Sequence, residues 1–315
     1  MIANETLEEL RHDARSCEAD PLWMAYESVS PSDPTPKATP WVWSYRDLRP
    51  LLDRAGRLIG TDKAERRVLM LTNPGIGKIP YTTDTLFAGL QHILPGEVAR
   101  AHRHVAFALR FIIEGERGFT AVGGEKVTMY PGDVILTPNW EYHDHGNESQ
   151  GPIVWLDGLD IPIYQAFPVH FTRRYSQARY PSKPAPEHSR LQYPWSEMQA
   201  KLDAAPGPFA AIEYRHRQTG GPISLTLGAQ AERVDRGARS PRRRQTASCV
   251  YHVRSGRGRT QVGDVVLEWA EHDTFAVPAW TAFEHENAGN ETVYLFRYDD
   301  APVLKAIGAY REEGE

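Results

Sequence analysis

PGEVARAHRHVAFALRFIIEG, from Pro95 to Gly115, and GDVILTPNWEYHDHGN, from Gly132 to Asn147, decide the reading of this chain. Residues i and i+2 of a strand point to one side, so His102 and His104 face together while Arg103 faces away. His143 arrives from a later strand, after the PGD turn, and completes a set of three imidazoles drawn from two segments. Neutral imidazoles suit iron, zinc, copper or nickel, and three protein ligands with open positions describe a catalytic centre more than a structural one. Ligand type alone does not separate zinc from iron.

Outward from these segments the chain reads as strands and tight turns, with glycine pairs at 123 and 124 and Pro-Gly at 131 and 132. Val68 to Asn73 and Thr85 to Leu94 are expected strands. Residues 1–22 are expected to be helical, with Leu7, Leu10 and Ala14 on one face, and a second helix is expected from Tyr45 to Gly56. The prolines between Ser28 and Pro40 stop the first helix.

The second half repeats the first at an offset of 140 residues. EGERGFTAVGGEKVTMYPGDVILTPNWEYHDHGNES, from Glu114, lies over SGRGRTQVGDVVLEWAEHDTFAVPAWTAFEHENAGN, from Ser255. Gly118 falls on Gly258, Asp133 on Asp273, Pro138 on Pro278, Trp140 on Trp280 and Asn147 on Asn287. A duplicated β-barrel explains turn residues and bulky aromatics recurring in order. At this offset His102 becomes Arg242, His104 becomes Arg244 and His143 becomes Phe283, so one barrel is expected to carry a metal and its copy none. The expected division is a helical arm over 1–60, a metal-binding barrel over 61–165, a connection over 166–205 and a metal-free barrel over 206–315.

Composition sets limits. A chain of 315 residues with 41% hydrophobic content can bury real cores, and its 8 Trp, 14 Tyr and 10 Phe favour packed β structure. A net charge of −5 gives no reason to expect a nucleic-acid partner. Cys17 and Cys249 stand far apart and support neither a disulfide framework nor a thiolate metal site. No apolar run reaches the roughly 18 residues of a membrane helix, and the MIANETLEEL start lacks a signal-like stretch, so a cytoplasmic protein with no membrane partner is expected.

The two segments resemble the cupin superfamily motifs. Gly96, His102, His104 and Gly115 fit the first, and Gly132, Pro138, His143 and Asn147 fit the second. The glutamate usual in the first motif is absent, Ala108 and Leu109 standing there, and Trp140 replaces a glycine of the second. Loss of that carboxylate with retention of the histidines is similar to the bicupin gentisate 1,2-dioxygenase and salicylate 1,2-dioxygenase family. ERRVLMLTNPG from Glu65, TLFAGLQHILPGEVARAHRH from Thr85 and ALRFIIEG from Ala108 carry the likeness over most of the chain.

The resemblance implies an all-β-dominated bicupin, two double-stranded β-helix (jelly-roll) barrels with a short helical N-terminal region. It implies an extradiol-type enzyme of aromatic catabolism that uses Fe(II), one per subunit in the N-terminal cupin, and O2 as co-substrate. The partner is then a small aromatic hydroxycarboxylate, cleaved between the carboxyl-bearing and hydroxyl-bearing carbons, and the assembly a homotetramer.

Beyond the metal, Arg110 lies eight residues after His102 and shares its side of the strand if no bulge intervenes. The resemblance assigns it to the substrate carboxylate, which its planar fork suits. Arg66 and Arg67 face opposite sides, and the resemblance favours Arg66 for the substrate. His145, two residues past His143, points toward the same cavity as a hydrogen-bonding or acid/base group, although His285 in the copy offers a fold-related explanation. By resemblance, Asp157 orients a histidine, Gln91 contacts substrate or oxygen, and Phe87 stands where salicylate-cleaving relatives have tryptophan. Two other functions compete: a zinc- or manganese-dependent cupin isomerase or hydrolase, and a non-enzymatic small-molecule-binding bicupin.

Overall fold

A computed structural model describes residues 6–60, 63, 64, 66–77 and 79–314. It divides into two compact units, Met1–Thr35 and Pro36–Glu315. The first unit holds α1 (Leu7–Ser16) and α2 (Leu22–Val29). Thr6 and Glu9 form a reciprocal capping box at the start of α1, satisfying two otherwise orphaned donors. The continuous helix expected over 1–22 is therefore two helices. The chain breaks at Glu18, whose φ is 55°, and at Pro21, while residues 1–5 of that expectation lie outside the described ones.

The second unit runs β1 (Trp41–Trp43), α3 (Tyr45–Leu58), β2 (Val68–Met70), β3 (Phe87–Ile93), β4 (Val98–His104), β5 (Ala108–Glu114), β6 (Gly118–Val122), β7 (Glu125–Met129), β8 (Val134–Thr137), β9 (His143–Asn147), β10 (Ile153–Leu159), α4 (Ile161–Ala166), β11 (Thr172–Arg174) and β12 (Lys183–Pro184). It continues as β13 (Gln192–Tyr193), α5 (Trp195–Ala204), β14 (Phe209–Glu213), β15 (Gly228–Val234), β16 (Arg243–Gln245), β17 (Cys249–Ser255), β18 (Arg257–Val262), β19 (Val265–Ala270), β20 (Thr274–Val277), β21 (Phe283–Glu286), β22 (Val293–Asp299), α6 (Ala301–Ala306) and β23 (Glu312–Gly314). No helix among the described residues is long and apolar enough to cross a membrane.

Among the described residues four sheets result: β13-β8-β5-β10-β3-β2 and β11-β4-β9-β6-β7-β12 in the first half, β1-β20-β17-β22-β15-β14 and β19-β18-β21-β16-β23 in the second. The connection expected over 166–205 is thus not free chain, because β11, β12 and β13 are all paired into first-half sheets. Conversely β1, from the expected helical arm, pairs with β20 of the second half. Each half lends its leading strand to the other. The exchange is secured electrostatically: Asp133 accepts the backbone N–H of Trp195 at 3.1 Å, and Asp273 accepts that of Tyr45 at 2.7 Å. Neither Ser44 nor Pro194 caps its helix with a side chain, so a carboxylate from the opposite half meets the exposed N–H groups and positive end of each helix.

The cores follow strand alternation. In β10, Ile153 and Trp155 enter a cluster inside the first half, while Val154 and Leu156 enter a larger one shared between the halves. β5 alternates likewise, with Ile112 inward and Leu109, Phe111 and Ile113 toward the shared core. Burial on both faces is why ALRFIIEG reads as an almost continuous apolar run. The inward positions that remain, Arg110 and Asp157, belong to the site.

Candidate metal centre and substrate cavity

Strand β4 carries His102 and His104, and β9 carries His143, paired in register with His102. Ring centroids lie 4.3 Å apart for His102 and His143, 4.8 Å for His104 and His143, and 5.3 Å for His102 and His104. One ligand nitrogen from each comes within 4.8 Å of the others. The Nδ1 atoms of His104 and His143 lie 2.8 Å and 2.9 Å from the backbone oxygens of Ala106 and Glu141, which fixes the rings, and Nε2 of His143 is buried without a partner. A second nitrogen tied to a carbonyl is the usual support of a metal-bound imidazole. Burial, with Arg66 adding to it, pushes His102 down to about 2, burial takes His104 down to about 4, and His143 falls well below its ordinary value for the same reason. All three are neutral near pH 7, and although the Arg66 guanidinium rests against the His102 ring, the donor set fits a mononuclear iron centre.

The histidines line a cavity of about 470 Å³ together with Arg66, Val68, Met70, Phe87, Gln91, Arg110, Asp157, Leu159, Ile161, His170, Thr172 and Arg174. This volume suits a small aromatic molecule. Arg110 and Asp157 are cross-strand neighbours in β5 and β10, both buried, with Nε and Oδ1 3.0 Å apart. Thr137 accepts a further bond from Arg110 at 2.5 Å. Although close, the Arg110 Nε and Asp157 Oδ1 atoms are not aligned as a hydrogen bond, and both keep unused capacity. Burial lowers the Arg110 pKa and raises that of Asp157. Asp157 therefore faces an arginine rather than orienting a histidine.

The two neighbouring arginines, just ahead of β2, point to opposite sides. Arg66 lines the cavity, where its Nη2 lies 3.1 Å from Nε2 of His102. Arg67 is buried on the other side, ion-paired with Glu97 and donating to the carbonyl of Ile59 at 3.0 Å. Glu65, where the quoted ERRVLMLTNPG segment begins, lies outside the described residues.

His145 shares the face of His143, with ring centroids 5.5 Å apart, but sits one layer deeper and does not line the cavity. Its Nδ1 meets the Thr120 hydroxyl at 3.0 Å and its ring lies against Trp155. His285 meets Thr260 in the same way at 2.8 Å in the second half, so this histidine recurs with the fold.

His170, Thr172 and Arg174 were not anticipated. They reach the mouth because β11 lies antiparallel to β4, with Thr172 opposite His104 and Arg174 opposite His102. Arg179, which pairs with Asp144 at 2.6 Å, anchors the same segment. The available signal was the repeat itself, since 172–174 falls 140 residues before β23, which pairs with β16 in the same way.

The register corrects the equivalences across the repeat. Arg243 pairs with Phe283 as His102 pairs with His143, and Gln245 pairs with Glu312 as His104 pairs with Thr172. His102 thus corresponds to Arg243 and His104 to Gln245, not to Arg242 and Arg244. The offset is 141 from β3 to the turn after β5 and 140 beyond it. The first half needs one more residue there, Arg117, held at a φ of 63°. The loss of all three ligands stands.

Residues 89–159 match the cupin domain family. The chain is 35% identical to gentisate 1,2 dioxygenase 1 of Aquipseudomonas alcaligenes, over 93% of this chain and 92% of that protein. It is 35% identical to a 5-aminosalicylate 1,2-dioxygenase of a Comamonas species, over 98% and 90%. Salicylate 1,2-dioxygenase from Pseudoaminobacter salicylatoxidans, solved as adducts with gentisate, superimposes with a TM-score of 0.90 at 31% identity, covering 100% of this chain and 96% of that one. A cupin with three histidines around a cavity is thereby placed more narrowly. The chain belongs to the bicupin gentisate and salicylate 1,2-dioxygenase family.

Proposed function

We propose that the protein is an Fe(II)-dependent 1,2-dioxygenase that opens the ring of gentisate, salicylate or a 5-substituted salicylate between its carboxyl-bearing and hydroxyl-bearing carbons. The observation that carries this reading is the set of three neutral imidazoles, two of them fixed by backbone carbonyls, lining a cavity that also holds Arg110. Iron held by His102, His104 and His143 supplies the redox chemistry with O2. A carboxylate and an adjacent hydroxyl would offer a metal so held two further donors.

Arg110 offers a planar fork to the substrate carboxylate, and Thr137 and Asp157 hold that fork in place. Arg66 and Arg174 add positive charge at the mouth and draw an anion inward. Phe87 and Gln91 flank the ring, the first as an apolar wall and the second as a hydrogen-bonding group toward substrate or oxygen. His145 acts from beneath His143 as a supporting group. In family likeness we also infer two double-stranded β-helix barrels divided near 61–165 and 206–315, a homotetramer and a cytoplasmic location.

The test is anaerobic reconstitution with Fe(II), followed by oxygen uptake on gentisate, salicylate, 5-aminosalicylate and 1-hydroxy-2-naphthoate. Uptake with at least one supports the assignment. Iron-loaded protein that consumes oxygen with none of them ends it.

A further inference from the structure

The contacts between the two halves are mostly reciprocal. Asp133 and Asp273 each cap a helix of the other half. Thr85 donates to Asp300 at 2.5 Å, and Thr226 donates to Asp160. These pairs recur across the repeat and fit a structural role common to both halves. The contact made by Tyr298 does not recur. Tyr298 of β22 is fully buried in the shared core, and its hydroxyl donates to the backbone carbonyl of Phe87 at 2.7 Å. Tyr298 pairs with Ala229 as Gly158 pairs with Ala88, so its counterpart in the metal-bearing half is a glycine. A Cβ placed on Gly158 would come within 2.8 Å of the Tyr298 ring and 2.9 Å of Leu109. The notch at Gly158 and the tyrosine are therefore complementary, and they meet in the shared core, directly behind the cavity wall.

The strands on either side of that notch carry site residues. Gly158 sits between Asp157 and Leu159, both in the cavity wall, and β10 pairs with β3 so that Leu159 lies opposite Phe87. The charge of Asp157 is also felt at the Tyr298 hydroxyl.

We propose that Tyr298, supplied by the half without a metal, is a positioning residue for the ring-binding wall, fixing Phe87 through its carbonyl and so setting which ring substituents the cavity accepts. This rests on the reading of Phe87 as that wall. The metal-free half is then part of the specificity apparatus and not only a scaffold. A hydroxyl whose loss leaves the ring in place removes the anchor without opening a void, because phenylalanine fills the same space.

The experiment uses the full chain loaded with iron. Iron content, melting temperature and kcat/KM for gentisate, salicylate and 5-aminosalicylate are measured for Tyr298→Phe, Gly158→Ala, Phe87→Trp and the Tyr298→Phe/Phe87→Trp double variant. Tyr298→Phe is expected to retain full iron and to change the ratio of kcat/KM between substituted and unsubstituted salicylate by about fivefold, chiefly through KM. Gly158→Ala approaches the same contact from the opposite side and is expected to shift the ratio as well. The effects of Tyr298→Phe and Phe87→Trp should fail to multiply, as expected for coupled neighbours. A uniform fall for every substrate, an unchanged ratio in Tyr298→Phe, or simple multiplication in the double variant would overturn the proposal. Ratios unmoved by Phe87→Trp alone would remove the wall and the proposal together, whereas a shift there with Tyr298→Phe silent overturns the proposal alone.

Discussion

The two halves share strand order, turns and even the buried histidine of β9 and β21, yet their interiors have gone separate ways. Where the first half places His102, His104 and His143 around open space, the second places Arg243, Gln245 and Phe283. Gln91 corresponds to Glu232 and Asp157 to Arg297. The Arg243 guanidinium lies 2.7 Å from Glu232 and 3.0 Å from the Tyr251 hydroxyl, and Arg297 lies 2.7 Å from Asp299. Phe275, Trp269 and Phe283 pack the remaining interior. The second half carries its cation covalently, as a side chain with its own counter-ion. The second interior therefore differs from the first by a replaced charge and a filled space, not merely by missing ligands.

The largest expected effect separates the interiors outright. His102→Ala should abolish iron binding and reduce turnover by at least about 10³-fold, as loss of an essential catalytic group does, measured by metal analysis and oxygen uptake. Next, Arg110→Ala should weaken kcat/KM by the equivalent of about 2–5 kcal/mol, the cost of breaking a buried charge pair, while iron stays bound. In the opposite half, Arg243→Ala should leave iron content and kcat near normal but reduce stability by about 3 kcal/mol in denaturant titrations, because buried Glu232 would lose its hydrogen-bonded guanidinium and keep only the more distant Arg297. Equal loss of iron from Arg243→Ala would erase the distinction drawn here. Asp133→Ala and Asp273→Ala should each cost about 1 kcal/mol as lost helix caps, and similar values would show that the exchange of leading strands is symmetric.

The smallest effect concerns pH. Burial raises both Asp160 and Asp300 to about 7 from an ordinary 3.8, so the folded state holds protons that the unfolded chain releases. Their contribution to stability is complete below pH 3.8 and is lost as pH rises through about 7. The site imidazoles have lowered pKa values and act with the opposite sign, losing stability as pH falls below their unfolded value near 6.5. Asp160→Asn with Asp300→Asn should flatten the decline on the alkaline side of this profile in unfolding measured from pH 4 to 8. A decline that persists unchanged would show that these carboxyls are ionised in the fold.

Much of this comparison was readable from residues alone. HxH followed by a spaced histidine carries its own geometry, and the order of Gly118, Asp133, Pro138, Trp140 and Asn147 betrays the duplication. Other features left little trace. A three-residue strand such as β1 and a two-residue strand such as β13 have no periodicity to detect, so their exchange between halves was hidden. Asp133 and Asp273 read as turn residues because their helix partners lie 62 and 228 positions away in the chain. The single extra residue in the turn after β5 misaligned the arginines by one place. His145 showed its direction but not its depth, and the partner of Asp157 depended on a cross-strand register that spacing does not fix.

Iron stoichiometry after anaerobic reconstitution tests the central claim most directly. The account predicts one iron per chain, lost entirely in His143→Ala and retained in Arg243→Ala. Two equivalents per chain, or iron still bound to His143→Ala, would contradict it.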